Sequence, residues 1–323
     1  MSTLVLMLRF AVRVISIGAI GLAACAQTYP NKPIRMVTVA PGGSADFATR
    51  LIAQGLSMSF GQQVVVENQG GASGVIAAQT LAKALPDGYT LGLFGSGIWT
   101  LPLMQSAPYD PMRDFSPITI AARSPNILVV HPSVPVKSVK ELIVLAKARP
   151  GELNYAAGIT GSANELAAEL FKAMADVNMV RINYKGAGPA LIDLVGGHVQ
   201  LMFATAASVA PHLKSGRLRA LAITSAAPSA LAPNLPTVAA SGLPGYESVA
   251  MHSIFAPAAT SAPIISRLND EIVRVLKTAV VNEKFLNAGV EVVGSTPEQL
   301  TATMKSEMVR LGKVIKGAGI RAE

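Results

Sequence analysis

Short runs of β-branched and apolar residues alternate with stretches of helical periodicity along most of the chain. The runs are typical of strands, and they lie at residues 34–40, 64–68, 90–94, 126–131, 153–157, 180–184, 200–203, 219–224, 253–257 and 290–293. Between the runs, apolar positions recur at helical spacing, as Phe47, Leu51 and Leu56 do within 45–60. Strands that alternate with helices predict parallel sheets covered by helices on both faces.

Several of the predicted helices begin with residues that cap a helix N-terminus. A serine or threonine followed three residues later by an acid or amide can satisfy N–H groups of the first turn. Such pairs occur at Ser138 with Glu141, at Ser162 with Glu165, and at Thr296 with Gln299, where Pro297 takes the first helical position. We therefore expect one helix over 138–148, a second that starts at the Ser162 pair and continues through 166–175, and a third from 296 onward.

The elements fall into two similar blocks, as expected for a chain longer than one comfortable hydrophobic core. One block covers 29–124 and the other 125–248, while the helix-rich segment 249–323 has too little strand for a third domain and completes the first block. Such a chain crosses between the blocks twice, near 123–127 and near 247–253. The sequence therefore predicts an α/β protein with two lobes, a hinge of two crossing strands and a cleft.

Composition excludes several other classes. The chain has 323 residues, of which 50% are hydrophobic and 14% charged, and its mean hydropathy is +0.43. No segment after the N-terminus reaches the roughly 20 uninterrupted apolar residues of a membrane helix, because even 195–210 contains Gly196, Gly197, His198 and Gln200. One cysteine permits neither an internal disulfide nor a cysteine-based zinc site.

The N-terminus has the order of a secretory signal: Arg9 and Arg13, an uncharged stretch at 14–24, then small residues. We assign 1–26 as a signal peptide and expect a periplasmic protein. Two processing routes stay open. Cleavage before Gln27 removes Cys25, whereas a lipoprotein-type site would keep Cys25 as a lipid anchor. Loss of the two arginines lowers the formal charge from +8 to +6.

The remaining positive charge is scattered, and no run of basic residues or basic-aromatic interleaving occurs, so nucleic acid is not an expected partner. A mild positive potential favours small anionic ligands instead. The loops after the predicted strands suit such ligands, because nearly all consist of Gly, Ser, Thr or Ala and open a helix. They are 41–46, 69–74, 95–100, 158–164, 185–189 and 204–208. Helix N-termini bind carboxylates through free N–H groups, and ligands of open parallel sheets lie beyond these strand ends.

Individual residues in these loops each have two interpretations. Ser162 and Asp46 can cap a helix or contact a ligand, and Lys185 can be a surface charge or a ligand contact. Trp99 can belong to the core or to the rim, or can form a wall of the pocket. The candidate ligand-binding residues are Pro41, Gly42, Gly43, Ser44, Asp46, Ser73, Ser96, Trp99, Thr160, Gly161, Ser162, Asn164, Lys185 and Thr205.

Catalytic, metal and cofactor motifs are missing from the sequence, including the serine-hydrolase, phosphate-loop, dinucleotide and zinc-protease patterns. We therefore expect that the protein binds no metal and no cofactor and that it is not an enzyme. The histidines are isolated in sequence, and among them His252, after the second crossing, is a candidate for the cleft. The alternatives are a secreted enzyme that acts on an anionic substrate with Asp46 or His252 as base, and a sensor that uses the same cleft.

Distinctive motifs lie at 29–35, 41–46 (Pro41-Gly42-Gly43 with Asp46), 86–91, 109–111 with 114–115, 184–190 and 235–238. Together these motifs resemble the Bug, or TctC-like, extracytoplasmic solute receptors of tripartite tricarboxylate transporters. The resemblance spans 29–323. It implies a two-lobed Venus-flytrap fold of type II, a small organic acid held by its carboxylate in the cleft, and delivery to membrane transporter subunits by a monomeric receptor. The family's second-lobe Gly-x-x-Gly-Ser pattern falls on Gly158, Gly161 and Ser162.

The sequence departs from the family pattern at three places near the expected pocket. Residues 69–73 replace an Arg-Pro-Gly-like run, Ala204 stands where an acid is frequent, and 251–253 replace a Trp-containing segment. Trp99 and Ala204 together favour a less polar ligand, such as an aromatic acid or a monocarboxylate.

Overall fold

The structure is a computed structural model that describes residues 29–42, 44–71, 74–158, 162–184 and 186–321. Its strands are β1 (Ile34–Thr38), β2 (Val64–Asn68), β3 (Thr90–Gly95), β4 (Phe115–Val130), β5 (Asn154–Ala157), β6 (Val180–Asn183), β7 (Leu201–Thr205), β8 (Arg219–Ile223), β9 (Val249–Pro257) and β10 (Glu291–Val292). Its helices are α1 (Ser44–Phe60), α2 (Val75–Ala82), α3 (Gly97–Thr100), α4 (Val139–Ala148), α5 (Ala163–Ala175), α6 (Ala187–Val195), α7 (Ala206–Lys214), α8 (Ala262–Leu276), α9 (Ala279–Asn287) and α10 (Pro297–Ala318). The predicted signal peptide and Cys25 lie outside the described residues.

The described strands form one ten-stranded sheet in the order β2-β1-β3-β9-β4-β7-β5-β6, with β8 and β10 also paired to β4. The strands β1, β2 and β3 are parallel, as are β5, β6 and β7. These two groups of parallel strands correspond to the parallel sheets that the alternating pattern predicts, and β4 and β9 join them into one sheet.

The strand β4 belongs to both halves of the sheet. Residues from Phe115 to Pro125 pair with β9, whereas those from Asn126 to Val130 pair with β7. β9 runs antiparallel to β4 and also pairs with β3. The halves therefore meet where β4 changes partner, and we call the half that contains β1–β3 the first lobe and the half that contains β5–β8 the second lobe.

In each lobe, helices cover both faces of the sheet, and successive side chains along a strand pack into the core on alternate faces. In β1, Met36 packs beneath α1 and α8, while Val37 packs on the opposite face with α2 and α10. In β4, Leu128 packs with α5 and Val129 with α6 and α7. Burial on both faces explains the nearly continuous apolar strands. Within the described ranges, no helix combines the length and the apolar character that a bilayer crossing requires.

Candidate functional site

The carboxyl ends of the strands in the two lobes point toward each other. β3 runs in the same direction as β4, because both are antiparallel to β9, and β7 runs against β4. β3 therefore ends at Gly95, opposite His252, and β7 ends at Thr205, opposite Asn126. The loops predicted to bind ligand consequently line two edges that face each other across β4 and β9, and we call the space between them the cleft.

On the first lobe, a carboxylate binds the backbone of the loop after β1. Pro41, Gly42 and Ser44 are exposed, and Gly42 has a φ of +83°, which favours glycine. Asp46, in the first turn of α1, accepts the Gly42 N–H at 2.9 Å. Its other oxygen accepts from the Asn68 amide at 2.8 Å and the Arg50 Nε at 3.0 Å.

The Asp46 carboxylate is therefore engaged by neighbouring residues of the protein. Burial raises the pKa of this carboxyl, but the hydrogen bonds from Gly42, Asn68 and Arg50 outweigh burial and leave the pKa below its ordinary value. Both carboxylate oxygens have partners from the loop, from β2 and from α1. The geometry favours a structural role that differs from the predicted helix cap: Asp46 lies within the first turn of α1 and anchors Gly42, Asn68 and Arg50.

Trp99 corrects an expectation. Its side chain is 0% exposed and packs edge-on against Phe255, at 6.5 Å between ring centroids. The loop after β3 forms the short helix α3, which turns Ile98 and Trp99 into the core and leaves Ser96 at its start half-buried. Trp99 is thus a core residue in this structure and no wall of the cleft, so it lends no support to an aromatic ligand.

On the second lobe, the first residues of two helices surround one small space. A Cβ added to Gly158, just after β5, would lie 3.5 Å from Ser162 Oγ and 3.9 Å from the Ala187 nitrogen. Ser162 precedes α5, and Ala187 is the first residue of α6. Gly158 therefore leaves room where the N-termini of two helices converge, a geometry that suits an anion.

Ser162 does not form the capping box that its sequence predicts. Its side chain makes no capping hydrogen bond, and the buried Glu165 carboxylate, which would supply the reciprocal half of the box, pairs with Arg181 of β6. Ser162 Oγ is itself buried and has no hydrogen-bond partner among the described residues. At the carboxyl edge of the second lobe, no described residue therefore uses this hydroxyl.

Two other candidate ligand-binding residues on this lobe make hydrogen bonds to neighbouring residues. The Asn164 Nδ2 donates to the Phe203 carbonyl at 2.5 Å, which ties the first turn of α5 to β7. Thr205 is exposed, and its hydroxyl lies 3.0 Å from Ser208 Oγ in the first turn of α7. The remaining candidates, Gly43, Ser73, Thr160, Gly161 and Lys185, lie outside the described residues.

Two of the departures from the family pattern, at Ala204 and Gln69, are occupied within the protein. Ala204 is 1% exposed and packs in the core on the α6 and α7 face, so no acid is missing from the cleft at this position. Gln69 is bound between Glu67 and Thr80, at 2.5 Å from each. The hypothesis of a less polar ligand therefore loses its support at Ala204 as well as at Trp99.

The two candidate bases lack the environment of a general base at neutral pH. Burial lowers the pKa of His252 to about 4, and its Nδ1 has no partner in the described part of the chain. Asp46 has a lowered pKa and two occupied oxygens. A general base works best with a pKa near the working pH.

Sequence reasoning missed one polar residue at the edge of the cleft. Asn126 is 2% exposed, and its amide nitrogen has no hydrogen-bond partner among the residues described. The available signal was a lone polar residue at the start of the apolar run 126–131.

Comparisons with known proteins agree with this geometry. The family model described as "Tripartite tricarboxylate transporter family receptor" matches residues 48–320. Protein BugT of Bordetella pertussis is 38% identical over 95% of this chain and 96% of its own length.

Two solved structures with ligands are also similar. R. palustris Rpa4515 with adipate is 37% identical, covers 91% of this chain and 100% of its own, and has a TM-score of 0.74. MatC from Rhodopseudomonas palustris with bound malate is 29% identical, covers 89% and 100%, and has a TM-score of 0.70. The predicted two-lobed α/β fold and the predicted resemblance are confirmed.

Proposed function

The chain belongs to the tripartite tricarboxylate transporter receptor family, whose members are solute-binding receptors, and from this premise we propose that it captures a small organic acid by a carboxylate in the cleft. The carboxylate lies against the N-termini of α5 and α6. Closure of the two lobes buries the acid and selects the form that a transporter recognises, since a ligand shifts an equilibrium only by its differential affinity for the two forms.

The unpartnered hydroxyl of Ser162 carries this proposal. A buried hydroxyl without a partner costs free energy, about 1–3 kcal/mol, unless a ligand or water completes it. Here the hydroxyl lies beside the backbone N–H groups at the start of the 13-residue helix α5. A carboxylate accepts from both kinds of donor, whereas a cation would be repelled by the helix dipole.

The class of acid is supported by the relatives, since one solved structure holds adipate and another malate. Both are small aliphatic dicarboxylates. We propose that this chain takes an acid of the same class. We retain Pro41, Gly42, Gly43, Ser44, Ser73, Ser96, Thr160, Gly161, Lys185 and Thr205 as further candidates for ligand contact.

The proposal extends to the cellular setting and to the lobes. The receptor is exported by residues 1–26, acts in the periplasm as a monomer, and delivers the acid to a tripartite tricarboxylate-type transporter. The first lobe comprises 29–124 with 249–323, and the second comprises 125–248. The partner change of β4 between Pro125 and Asn126, and the start of β9 at Val249, support these boundaries.

A thermal-shift and calorimetric screen tests the proposal. The panel contains adipate, malate, hexanoate and benzoate, together with the cation spermidine as a negative probe. An acid at 100 times its Kd adds about 2.7 kcal/mol to the free energy of unfolding. We expect binding of at least one dicarboxylate and no effect of spermidine. If every acid leaves the melting temperature unchanged, the proposed function is wrong.

Two serine variants separate binding from folding. Ser162→Ala should weaken binding of that acid about tenfold or more, because a hydrogen bond to a charged group is lost, and should leave the unliganded protein as stable as before. Ser138→Ala is the matched control. Ser138 Oγ accepts the Glu141 N–H at 3.2 Å as a true cap of α4, so this variant should lose about 1 kcal/mol of stability and bind normally.

A further inference from the structure

Asn126 lies where the two lobes meet, at the level of the ligand-binding edge. It is the first residue of β4 that pairs with β7, and its partner there is Thr205, the last residue of β7. Alternation along β4 places its side chain on the same face as Leu128, which packs in the core with α5. The first turn of α5 reaches this end of β7, because Asn164 donates to the Phe203 carbonyl.

The backbone of Asn126 is held rigidly. Its N–H donates to Thr224 Oγ1 at 2.7 Å, and its carbonyl accepts from the Thr224 N–H at 2.9 Å and from the Thr224 hydroxyl at 3.0 Å. The side-chain amide nitrogen has no such partner among the described residues. The residue is 2% exposed, and Nδ2 is buried with no partner in the part of the chain that the structure describes.

A rigid backbone with an unsatisfied amide is unusual, because buried amides normally find a hydrogen-bond partner. Here the amide and the Ser162 hydroxyl both lack a partner among the described residues, and both lie at the carboxyl edge of the second lobe near the first turn of α5. A neutral donor suits an anion well, since it adds a hydrogen bond without bringing a competing charge.

We propose that Asn126 is a specificity-determining residue, whose amide donates a hydrogen bond to the bound acid at the hinge. This inference rests on the proposed function and deepens it. It makes the crossing strand β4 part of the binding site, so that the acid contacts the strand that joins the lobes as well as the loops on either side.

Calorimetric titration of the mature protein with adipate and with malate tests this role. Asn126→Leu keeps the size of the side chain and removes its donor. The variant should bind the better of these two acids at least tenfold more weakly, while its melting temperature without ligand stays the same or rises, because an unsatisfied buried amide is gone. Asn126→Asp should bind more weakly still, since its carboxylate repels the acid. Asn154→Leu, at the opposite end of the second lobe in β5, is the control and should bind normally.

The outcomes separate the two proposals. If wild type binds adipate or malate and both Asn126 variants bind it with unchanged Kd, Asn126 is a structural residue and the inference is wrong, while the proposed function stands. A variant that is less stable without ligand yet binds with unchanged Kd also overturns the inference. If wild type binds no acid of the panel, both proposals fall.

Discussion

At Asp46, one carboxylate organises a loop that sequence reasoning assigned to the ligand. It joins the Gly42 N–H, the Asn68 amide and the Arg50 guanidinium. The Asn68 amide also donates to the Val39 carbonyl at 2.9 Å, which extends the network to the end of β1. Asp46 and Asn68 therefore anchor Gly42 to the end of β1.

We expect Asp46→Ala to lower the free energy of unfolding at pH 7 by about 1.5–3 kcal/mol, the range for hydrogen bonds to a charged group. Because the pKa of Asp46 is lower in the folded than in the unfolded protein, its contribution is complete above the ordinary carboxyl pKa. The contribution is lost as the pH falls through the folded-state pKa. Urea unfolding at pH 7 and at several values between about pH 5 and 3 measures both effects.

The matched variant Asp46→Asn keeps the shape of the side chain and removes the charge. Its stability should depend less on pH over the acid range than that of wild type. An acid dependence equal to that of wild type would show that Asp46 is not held in its ionised form by these partners.

Single residues show where sequence reasoning ends. The Gly-rich motif around 41–46 and the second-lobe Gly-x-x-Gly-Ser motif predicted the facing edges of the cleft, because strand ends and small residues are local signals. The orientation of Trp99 was not predictable, since a short helical turn decides whether the indole points outward. Asn126 was missed because the hydrogen-bond partners of a buried amide depend on neighbours that are distant in sequence.

Helix caps illustrate the same limit at the level of elements. Three pairs had the spacing of a cap, and two of them form one. Thr296 accepts from the Gln299 N–H at 3.2 Å while Gln299 Oε1 accepts from the Thr296 N–H at 2.9 Å. The third pair does not: the Ser162 side chain makes no capping hydrogen bond, and the Glu165 carboxylate pairs with Arg181 from a neighbouring strand.

Thr296→Ala should therefore destabilise the protein, by about 1 kcal/mol for the loss of an N-cap. The cap starts α10, whose residues Leu300 and Met304 pack in the core of the first lobe. Chemical denaturation compares the variant with wild type, and Thr303→Ala, further along the same helix, is the control. Equal stabilities of Thr296→Ala and wild type would contradict the prediction.

The first half of β4 was the element that the pattern did not reveal. Residues 115–125 contain Pro117, Pro125 and Arg123, and proline within an apolar run argues against an interior strand. The structure accommodates them with register shifts between Pro117 and Thr119 and between Ile120 and Ala122. Pairing with β9 on one side and β10 on the other supplies the order that local sequence lacks.

On the scale of the molecule, a second carboxylate ties the lobes together beside the hinge. Glu291 of β10 accepts from Arg123 Nε of β4 at 2.9 Å. It also accepts from Ser229 Oγ at 2.5 Å and from the Ala230 N–H at 3.1 Å, both in the loop after β8. Glu291 therefore links the first lobe, the crossing strand and the second lobe.

Glu291→Ala should loosen this link. We expect a larger radius of gyration without ligand in small-angle scattering, and several-fold weaker binding of adipate or malate, because a smaller fraction of molecules has the competent arrangement. Stability should fall by about 2 kcal/mol, since Arg123 and Ser229 lose a charged partner. Glu283→Ala, on an exposed position of α9, is the control; identical scattering of Glu291→Ala and wild type would refute the link.

The shared strand β4 also limits how this protein can evolve. Its 16 residues serve two cores in turn, and successive side chains point to opposite faces. One residue inserted between Pro125 and Asn126 would exchange the faces of everything downstream, sending Leu128 toward the core that now holds Val129. An insertion in β4 at this point is therefore compatible with both cores only if it has an even number of residues or if a further bulge absorbs it.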